Sequence, residues 1–462
     1  MKRITIKLGK KMLEVNLPDN IEILFTKQPK PLDNPAFFIQ KALKDSIGSR
    51  SLEQIIEQKL KKNSQAKAVI VISDNTRPVP YKGKSGILWP IIEKLLAKNI
   101  SNNRILILIA TGTHRPLSEK ELIEMLDHRV FDYKIPIKNH HCRDQYNLIY
   151  LGKTNRGSSI YINSDYMEAD IKILTGLVET HFMAGASGGR KSICPGLIGE
   201  ESIYIFHGAP MLASQEATDL IIDDNPCHQE ALEVAKKAGA DYILNVTLDQ
   251  DFKLTGVFAG DLEEAHKQAV KQIKKYVAIP LDKEYDIVIT HSSFVGINQY
   301  QTAKAAVVAI PVLKPNGKLI MIANNNDEDL IGSDKYKAVL HLLKIIGAKQ
   351  FNRLILSPDW TFIPDQWQVQ MWTRLFSKIP PENFIYYSPR LSFNDYKIIP
   401  GVDGNIFLPK TERYKGNLKN AAQVIEKAVE AAISELKSNL QEKIKIAYLA
   451  DGPYGVPVKK TV

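Results

Sequence analysis

The chain opens on an alternation. In 1-MKRITIKLGKKMLEVNL-17 apolar and charged residues exchange at nearly every step, the period of a strand that lays one face on a core. Further on the pattern changes to runs that are apolar throughout, separated by stretches of helical periodicity. These are 69-VIVISDNTRP-78, 104-RILILIATGTHRP-116, 170-DIKILTGLVETHF-182, 286-DIVITHSSF-294, 317-GKLIMIANNN-326 and 353-RLILSPDW-360. Strands covered on both faces have this character, and their alternation with helices predicts parallel sheets of the α/β class. Residues 418–443 carry the period of one long amphipathic helix, and 445-IKIAYLA-451 reads as a closing strand.

Length then divides the pattern. A chain of 462 residues exceeds what one core holds, so two α/β domains are expected. The best break is 276-YVAIPLDKE-284, which follows a Lys-rich helix and precedes a fresh strand. This gives a first domain over 1–279 and a second over 284–444. The last segment, 445–462, can return to either, and we place it with the first.

Composition narrows the class. Hydrophobic residues at 44% and charged residues at 24% are ordinary for a soluble globular protein. The net charge of +10 comes from 61 Lys and Arg against 51 Asp and Glu. The basic residues are scattered and form no aromatic–basic stripe, so a surface suited to small anions is expected rather than nucleic acid. Cys142, Cys194 and Cys227 are odd in number and far apart, which fits a reducing compartment. The start has no signal-peptide apolar region, and no run approaches the ~20 apolar residues of a membrane span. A cytoplasmic protein with no membrane partner is expected.

In open parallel sheets, ligands sit beyond the carboxyl ends of the strands. Here those ends carry Asp74 and Arg77, then Thr111, Thr113 and His114, then His181, and in the second half His291 and Ser292. Each alone has a structural explanation as a cap or a satisfied histidine; the set is what points to chemistry. The segment 181-HFMAGASGGRKSICPG-196 adds Gly185, Gly188 and Gly189, a turn that suits a phosphate. Its GASGGRKS departs from a P-loop because Arg190 stands where that motif requires Gly. Lys191 can serve there as a phosphate counter-charge or as a covalent attachment point. His207, beside Gly208, is a possible metal ligand without the spacing of a protein-only metal site. The cluster 140-HHC-142 reads as surface.

Taken together and in order, SDNTRP (73–78), ATGTHRP (110–116), HFMAGASGGRKSICPG (181–196), FHG (206–208), YQTAK (300–304) and DQWQVQM (365–371) resemble the nickel-pincer lactate racemase family. The resemblance implies two α/β domains with the active site in the cleft between them. It implies a racemase or epimerase, an isomerase acting at C2 of a small anionic 2-hydroxycarboxylic acid. It also implies a cofactor made by separate synthesis proteins, a pyridinium-3-thioamide-5-thiocarboxylic acid mononucleotide that holds nickel as an S–C–S pincer.

Residue by residue, Lys191 matches the lysine covalently bound to that cofactor, and His207 the histidine that completes nickel coordination. His114 and His181 match the acid–base pair. Arg77, Gln301, Lys304 and Trp367 match residues around the substrate carboxylate and its pocket, while Tyr300 lies in the same substrate motif. Asp74, Gly188 and Gly189 fall in the cofactor-binding motifs. Segment 325–362 is more divergent, so the particular acid is left open.

The implied chemistry is physically coherent. The α-hydrogen of a 2-hydroxycarboxylate is poorly acidic beside a carboxylate, so removal as hydride is preferable, with a histidine taking the hydroxyl proton near neutral pH. Nickel(II) favours square-planar coordination, so a tridentate pincer leaves one in-plane position for one imidazole. Two rivals remain from the residues alone. One is a mononucleotide- or ATP-dependent transferase using the 185–192 loop; the other is a non-catalytic protein that binds anions or nucleic acid.

Overall fold

The computed structural model describes residues 1–437 and 443–459. The chain forms two compact units, Gln28–Tyr276 and, discontinuously, Met1–Lys27 with Val277–Val462. Each is built on a six-stranded sheet, so the α/β class with parallel sheets holds.

In the continuous unit the strands run in the order Leu254–Gly260, Tyr242–Leu248, Ile171–Leu177, Ala68–Ser73, Ile105–Ala110 and Ile137–Asn139. All neighbours are parallel except the first pair. The central strand is covered on both faces, with Val69, Ile70, Val71 and Ile72 all fully buried. That is why its sequence shows no alternation. The helix Leu52–Lys62 begins at a capping box, where Ser51 and Gln54 satisfy each other's backbone N–H groups. It presents Leu52, Ile55 and Ile56 to the sheet core. A carboxylate placed at Ile70 would be buried without a partner, which is strongly destabilising.

In the discontinuous unit the order is Val402–Asp403, Phe384–Tyr387, Leu313–Ile322, Tyr285–His291, Ile446–Leu449 and Ile21–Leu24, all parallel. The alternating start of the chain becomes an antiparallel hairpin, Lys2–Leu8 with Lys11–Leu17. Its inward residues, from Ile4 to Leu17, join one core with the helix Asn420–Lys437.

Three expectations change. The first boundary is wrong at the start of the chain, because residues 1–27 belong with the second half. The closing strand also joins the second half: Ile446–Leu449 lies between Tyr285–His291 and Ile21–Leu24, held further by Lys445 N–H to Asp286 Oδ2 at 2.9 Å. Alternation shows that a strand has a buried face, not which sheet covers it. Finally, 353-RLIL-356 is not a strand but the end of the helix Asp334–Ile355. Phe351 and Ile355 are buried while Leu354 and Leu356 are exposed, a helical face that a four-residue apolar run cannot reveal. The expected helix 418–443 appears as Asn420–Lys437; residues 438–442 and, in the closing segment, 460–462 lie outside the described residues.

Candidate functional site

Strands Ala68–Ser73 and Ile105–Ala110 pair in parallel up to Ser73 and Ala110, so the loops that follow them emerge side by side. In the first, Asp74 accepts both the hydroxyl of Thr76 at 2.5 Å and its N–H at 3.2 Å. In the second, His114 N–H bonds back to Thr111 O at 2.9 Å, and the Thr111 hydroxyl anchors the loop on His140 O at 2.6 Å. The two loops meet where His114 Nδ1 lies 2.6 Å from Asp74 Oδ2. Asp74 is buried, which opposes ionisation, but the bonds from His114 and Thr76 outweigh that and hold its carboxyl below the usual range. Asp74, expected in the cofactor motif, stands directly behind His114.

Strand Ile171–Leu177 leads to Glu179 and His181. Thr180–His181 forms a tight antiparallel pair with Gly185–Ala186, and within that turn His181 Nδ1 accepts the N–H groups of Met183 and Ala184 at 3.3 and 3.2 Å. Glu179 N–H bonds Ser187 Oγ at 3.0 Å, and Ser187 N–H returns to Glu179 O at 2.9 Å. The Glu179 carboxylate lies 3.3 Å from Arg77 Nε. Glu179 carries no motif of its own in the sequence; its one signal is its place in the same strand-end run, two residues before His181.

The glycine turn follows. Gly188 and Gly189 have φ of +73° and +53°, and a Cβ on Gly189 would stand 2.8 Å from His266 Cδ2. The Gly189 N–H is bonded to Asn245 Oδ1 at 2.9 Å. Conformation and packing account for these glycines, and the Gly189 N–H is not offered to a phosphate. Arg190, read only as a departure from the P-loop, is the buried anchor of the turn. Its Nη2 donates to Ala184 O at 2.7 Å, and its Nη1 lies 3.0 Å from His266 Nε2. Among the described residues no carboxylate pairs with it.

Lys191 is half-buried, its Nζ 5.7 Å from the centre of the Phe206 ring. Phe206 ends the helix Glu200–Phe206 and meets the next residue, His207, edge-on with ring centres 4.5 Å apart. Burial, then the charges of Arg190 and Arg77, push the Lys191 amine down to about 7. Burial and the charge of Lys191 push His207 down to about 3. The pair therefore offers, near neutrality, an amine that is half unprotonated and a neutral imidazole, the form in which histidine binds metals. Gly112 N–H bonds Gly196 O at 3.0 Å and ties the His114 loop to the Lys191 turn. Asp74, Arg77, His114, His181, Lys191 and His207 thus lie in one unit, the first four at strand ends, Lys191 in the glycine turn and His207 at the end of the helix Glu200–Phe206.

In the other unit the helix Gln299–Ala309 starts at Asn298, whose side chain caps the N–H of Gln301 at 3.0 Å. Tyr300 and Lys304 are one turn apart on it. The Tyr300 hydroxyl accepts from Trp367 Nε1 at 2.7 Å, and Phe362 stacks on Trp367 at 5.6 Å. These four expected substrate residues are thereby gathered on two neighbouring elements. His291 is different: it is fully buried, with Nε2 2.9 Å from Ala450 O and Nδ1 accepting from Ser293 N–H at 3.1 Å. It is a satisfied core histidine. The HHC cluster is not surface as expected, because His140 and Cys142 are buried, and His140 spans Ile198 O and Asn163. Among the described residues no three His, Cys, Asp or Glu side chains gather as a metal site, and no helix is long and apolar enough to cross a membrane.

A family model described as the lactate racemase N-terminal domain matches residues 8–219, and one described as the lactate racemase C-terminal domain matches 281–388. A lactate racemase of Lactiplantibacillus plantarum is 33% identical over 340 residues, 73% of this chain and 76% of that protein. One from Thermoanaerobacterium thermosaccharolyticum is 30% identical over 381 residues, 81% of this chain and 86% of that protein. The solved lactate racemase apoprotein from the latter organism superposes with a TM-score of 0.82 at 26% identity, covering 99% of this chain and all of its own. A Thermotoga maritima protein at 14% identity and a TM-score of 0.53 shares the fold.

Proposed function

For a chain that belongs to the lactate racemase family, and is on that ground an isomerase, we propose inversion of C2 of a 2-hydroxycarboxylic acid. Lactate, the acid in the relatives' names, is the first substrate to test. The proposed cofactor is the nickel-pincer nucleotide, delivered by its own synthesis proteins.

One observation carries the reading: a lysine with an amine near neutrality stands over the ring next to His207, in the unit that also holds the Asp74–His114 pair. The donor set fits the group. Lys191 would hold the group through an amine that is nucleophilic at neutral pH, and His207 would offer its nickel a neutral imidazole. When bound, the cofactor supplies the hydride acceptor.

The remaining work falls to the chain. His114 and His181 move the proton of the substrate hydroxyl. Arg77, oriented by Glu179, is suited to the carboxylate through the fork that matches two oxygens. Tyr300, Gln301, Lys304 and Trp367 keep the substrate-binding roles that the family resemblance gives them.

Two measurements test the reading. Protein loaded with the cofactor should destroy the optical purity of a single lactate enantiomer; retained purity for every 2-hydroxy acid offered refutes it. Lys191→Ala should show no cofactor adduct by intact mass, and an adduct of wild-type mass on that variant removes the tether assignment.

A further inference from the structure

Treating His114 and His181 as a matched pair hides a difference in their surroundings. His114 turns Nδ1 to Asp74 Oδ2 at 2.6 Å. A carboxylate kept ionised, as this one is, has only lone pairs to offer, so the proton of that bond belongs to the ring. A neutral His114 therefore carries its proton on Nδ1 and a lone pair on Nε2. Asp74 cannot readily turn away, since it is buried and its other oxygen is held by both the hydroxyl and the N–H of Thr76.

His181 has the inverse setting. Its Nδ1 receives the backbone N–H groups of Met183 and Ala184, at 3.3 and 3.2 Å, inside the tight turn closed by Thr180–His181 and Gly185–Ala186. Amide N–H groups only donate. Nδ1 must then present a lone pair, and a neutral His181 carries its proton on Nε2.

We infer that the two histidines rest in opposite tautomers, His114 presenting a proton acceptor at Nε2 and His181 a proton donor at Nε2. This rests on the reading that both act on the substrate hydroxyl, and it gives them unequal roles. His114 takes the hydroxyl proton outright: the substrate O–H bond breaks, Nε2–H forms, and the resulting imidazolium faces the Asp74 carboxylate. That is the orienting and charge-stabilising part a buried Asp plays behind a general-base histidine. His181 gives a hydrogen bond to the substrate oxygen at once. Giving up that proton entirely would leave an imidazolate, so transfer requires a proton on Nδ1 first. That nitrogen faces two N–H groups, and the 182–184 turn has to release it. The first proton of the enantiomer whose hydroxyl falls to His114 is thus taken from the resting state. Proton exchange at His181, in either direction of the reaction, waits for the turn to open and for water to bring a proton to Nδ1, and Asp74 is a positioning residue for the His114 half of the reaction only.

The test needs no cofactor. In apoprotein carrying 15N-labelled histidine, long-range 1H–15N spectra at neutral pH distinguish the tautomers, with His114→Gln and His181→Gln for assignment. The expected result is the Nδ1–H pattern for His114 and the Nε2–H pattern for His181. Asp74→Ala should lose the Nδ1–H pattern at His114 and leave His181 unmoved. The same tautomer on both rings, or an imidazolium at His181, overturns the inference. Should a variant fail to fold, joint neutron and X-ray diffraction of the wild-type apoprotein places the protons directly. Loaded protein that racemises normally with both rings in one tautomer defeats this inference alone; loaded protein that racemises nothing defeats the functional reading, whatever the spectra show.

Discussion

Lys191 allows a sharp quantitative test. Its amine is depressed from 10.5 to about 7, first by burial and then by the charges of Arg190 and Arg77. At pH 7 about half of it is then unprotonated, against roughly 0.03% for an ordinary lysine, a gain of about a thousandfold in nucleophile. Competitive labelling of the apoprotein with a trace amine reagent across pH 5–11, read by peptide mass spectrometry, measures this directly. An exposed lysine such as Lys120 serves as internal reference. The Lys191 profile should rise with a midpoint near 7, and Arg190→Met should move that midpoint upward. A wild-type midpoint near ~10.4 would show that the turn leaves the amine as it is in water and would remove the physical basis for tethering at this residue.

The same shift has a cost in stability, and its sign can be worked out. The unfolded chain keeps this lysine protonated up to about 10.5, while the folded chain has released the proton by about 7. The group therefore opposes folding increasingly as pH falls from 10.5 to 7, and by a constant amount below that. Lys191→Met should stabilise the apoprotein at pH 7 by ~1–3 kcal/mol, less than the full shift because the side chain is partly solvated. An unchanged or lower urea midpoint contradicts the account.

Other expectations follow from single contacts. Gly189→Ala places a Cβ 2.8 Å from His266 Cδ2 at a φ of +53°. Left-handed strain of ~1–2 kcal/mol and overpacking of ~1–3 kcal/mol should lower the urea midpoint accordingly; an unmoved midpoint means the turn has another home for the side chain. His140, His228 and His266 are buried neutral, with values lowered to about 4, 2 and 3, each chiefly by burial. The unfolded chain protonates them near 6.5, so stability should fall as pH drops from about 6.5 towards 4. The slope should reach at most about 1.4 kcal/mol per pH unit for each histidine, and a pH-independent urea midpoint over that window speaks against their burial. Tyr300→Phe and Trp367→Phe each remove one end of a 2.7 Å hydrogen bond. In thermal denaturation each should cost ~0.5–1.5 kcal/mol, and the double variant less than their sum; strict additivity shows that the bond contributes nothing.

How far the sequence discloses all this depends on the distance between a residue and its partners. The strands 68–73 and 105–110 are legible because burial on both faces writes itself into the residues of the strand. Asp74, Arg77, His114 and His181 are legible because a strand end is a local feature. The placement of residues 1–27 and of the closing strand is not, since Ile21–Leu24 and Ile446–Leu449 find each other across more than 400 residues.

The site divides the same way. A motif supplies Gly189, Arg190 and Lys191, but what fixes them lies elsewhere in the chain: Asn245 on the Gly189 N–H and His266 against both Gly189 and the Arg190 guanidinium. Neither partner carries a local signature, and Arg190 in isolation looks like a solvated cation. The acidity of Lys191 is therefore a property of the fold around the motif. A chain that kept GGRKS and changed Asn245 and His266 would match the motif letter for letter, while its turn would lose two of the contacts that hold it. In such a chain the amine should return toward the value of a solvated lysine, and the labelling profile that tests Lys191 here would tell the two apart.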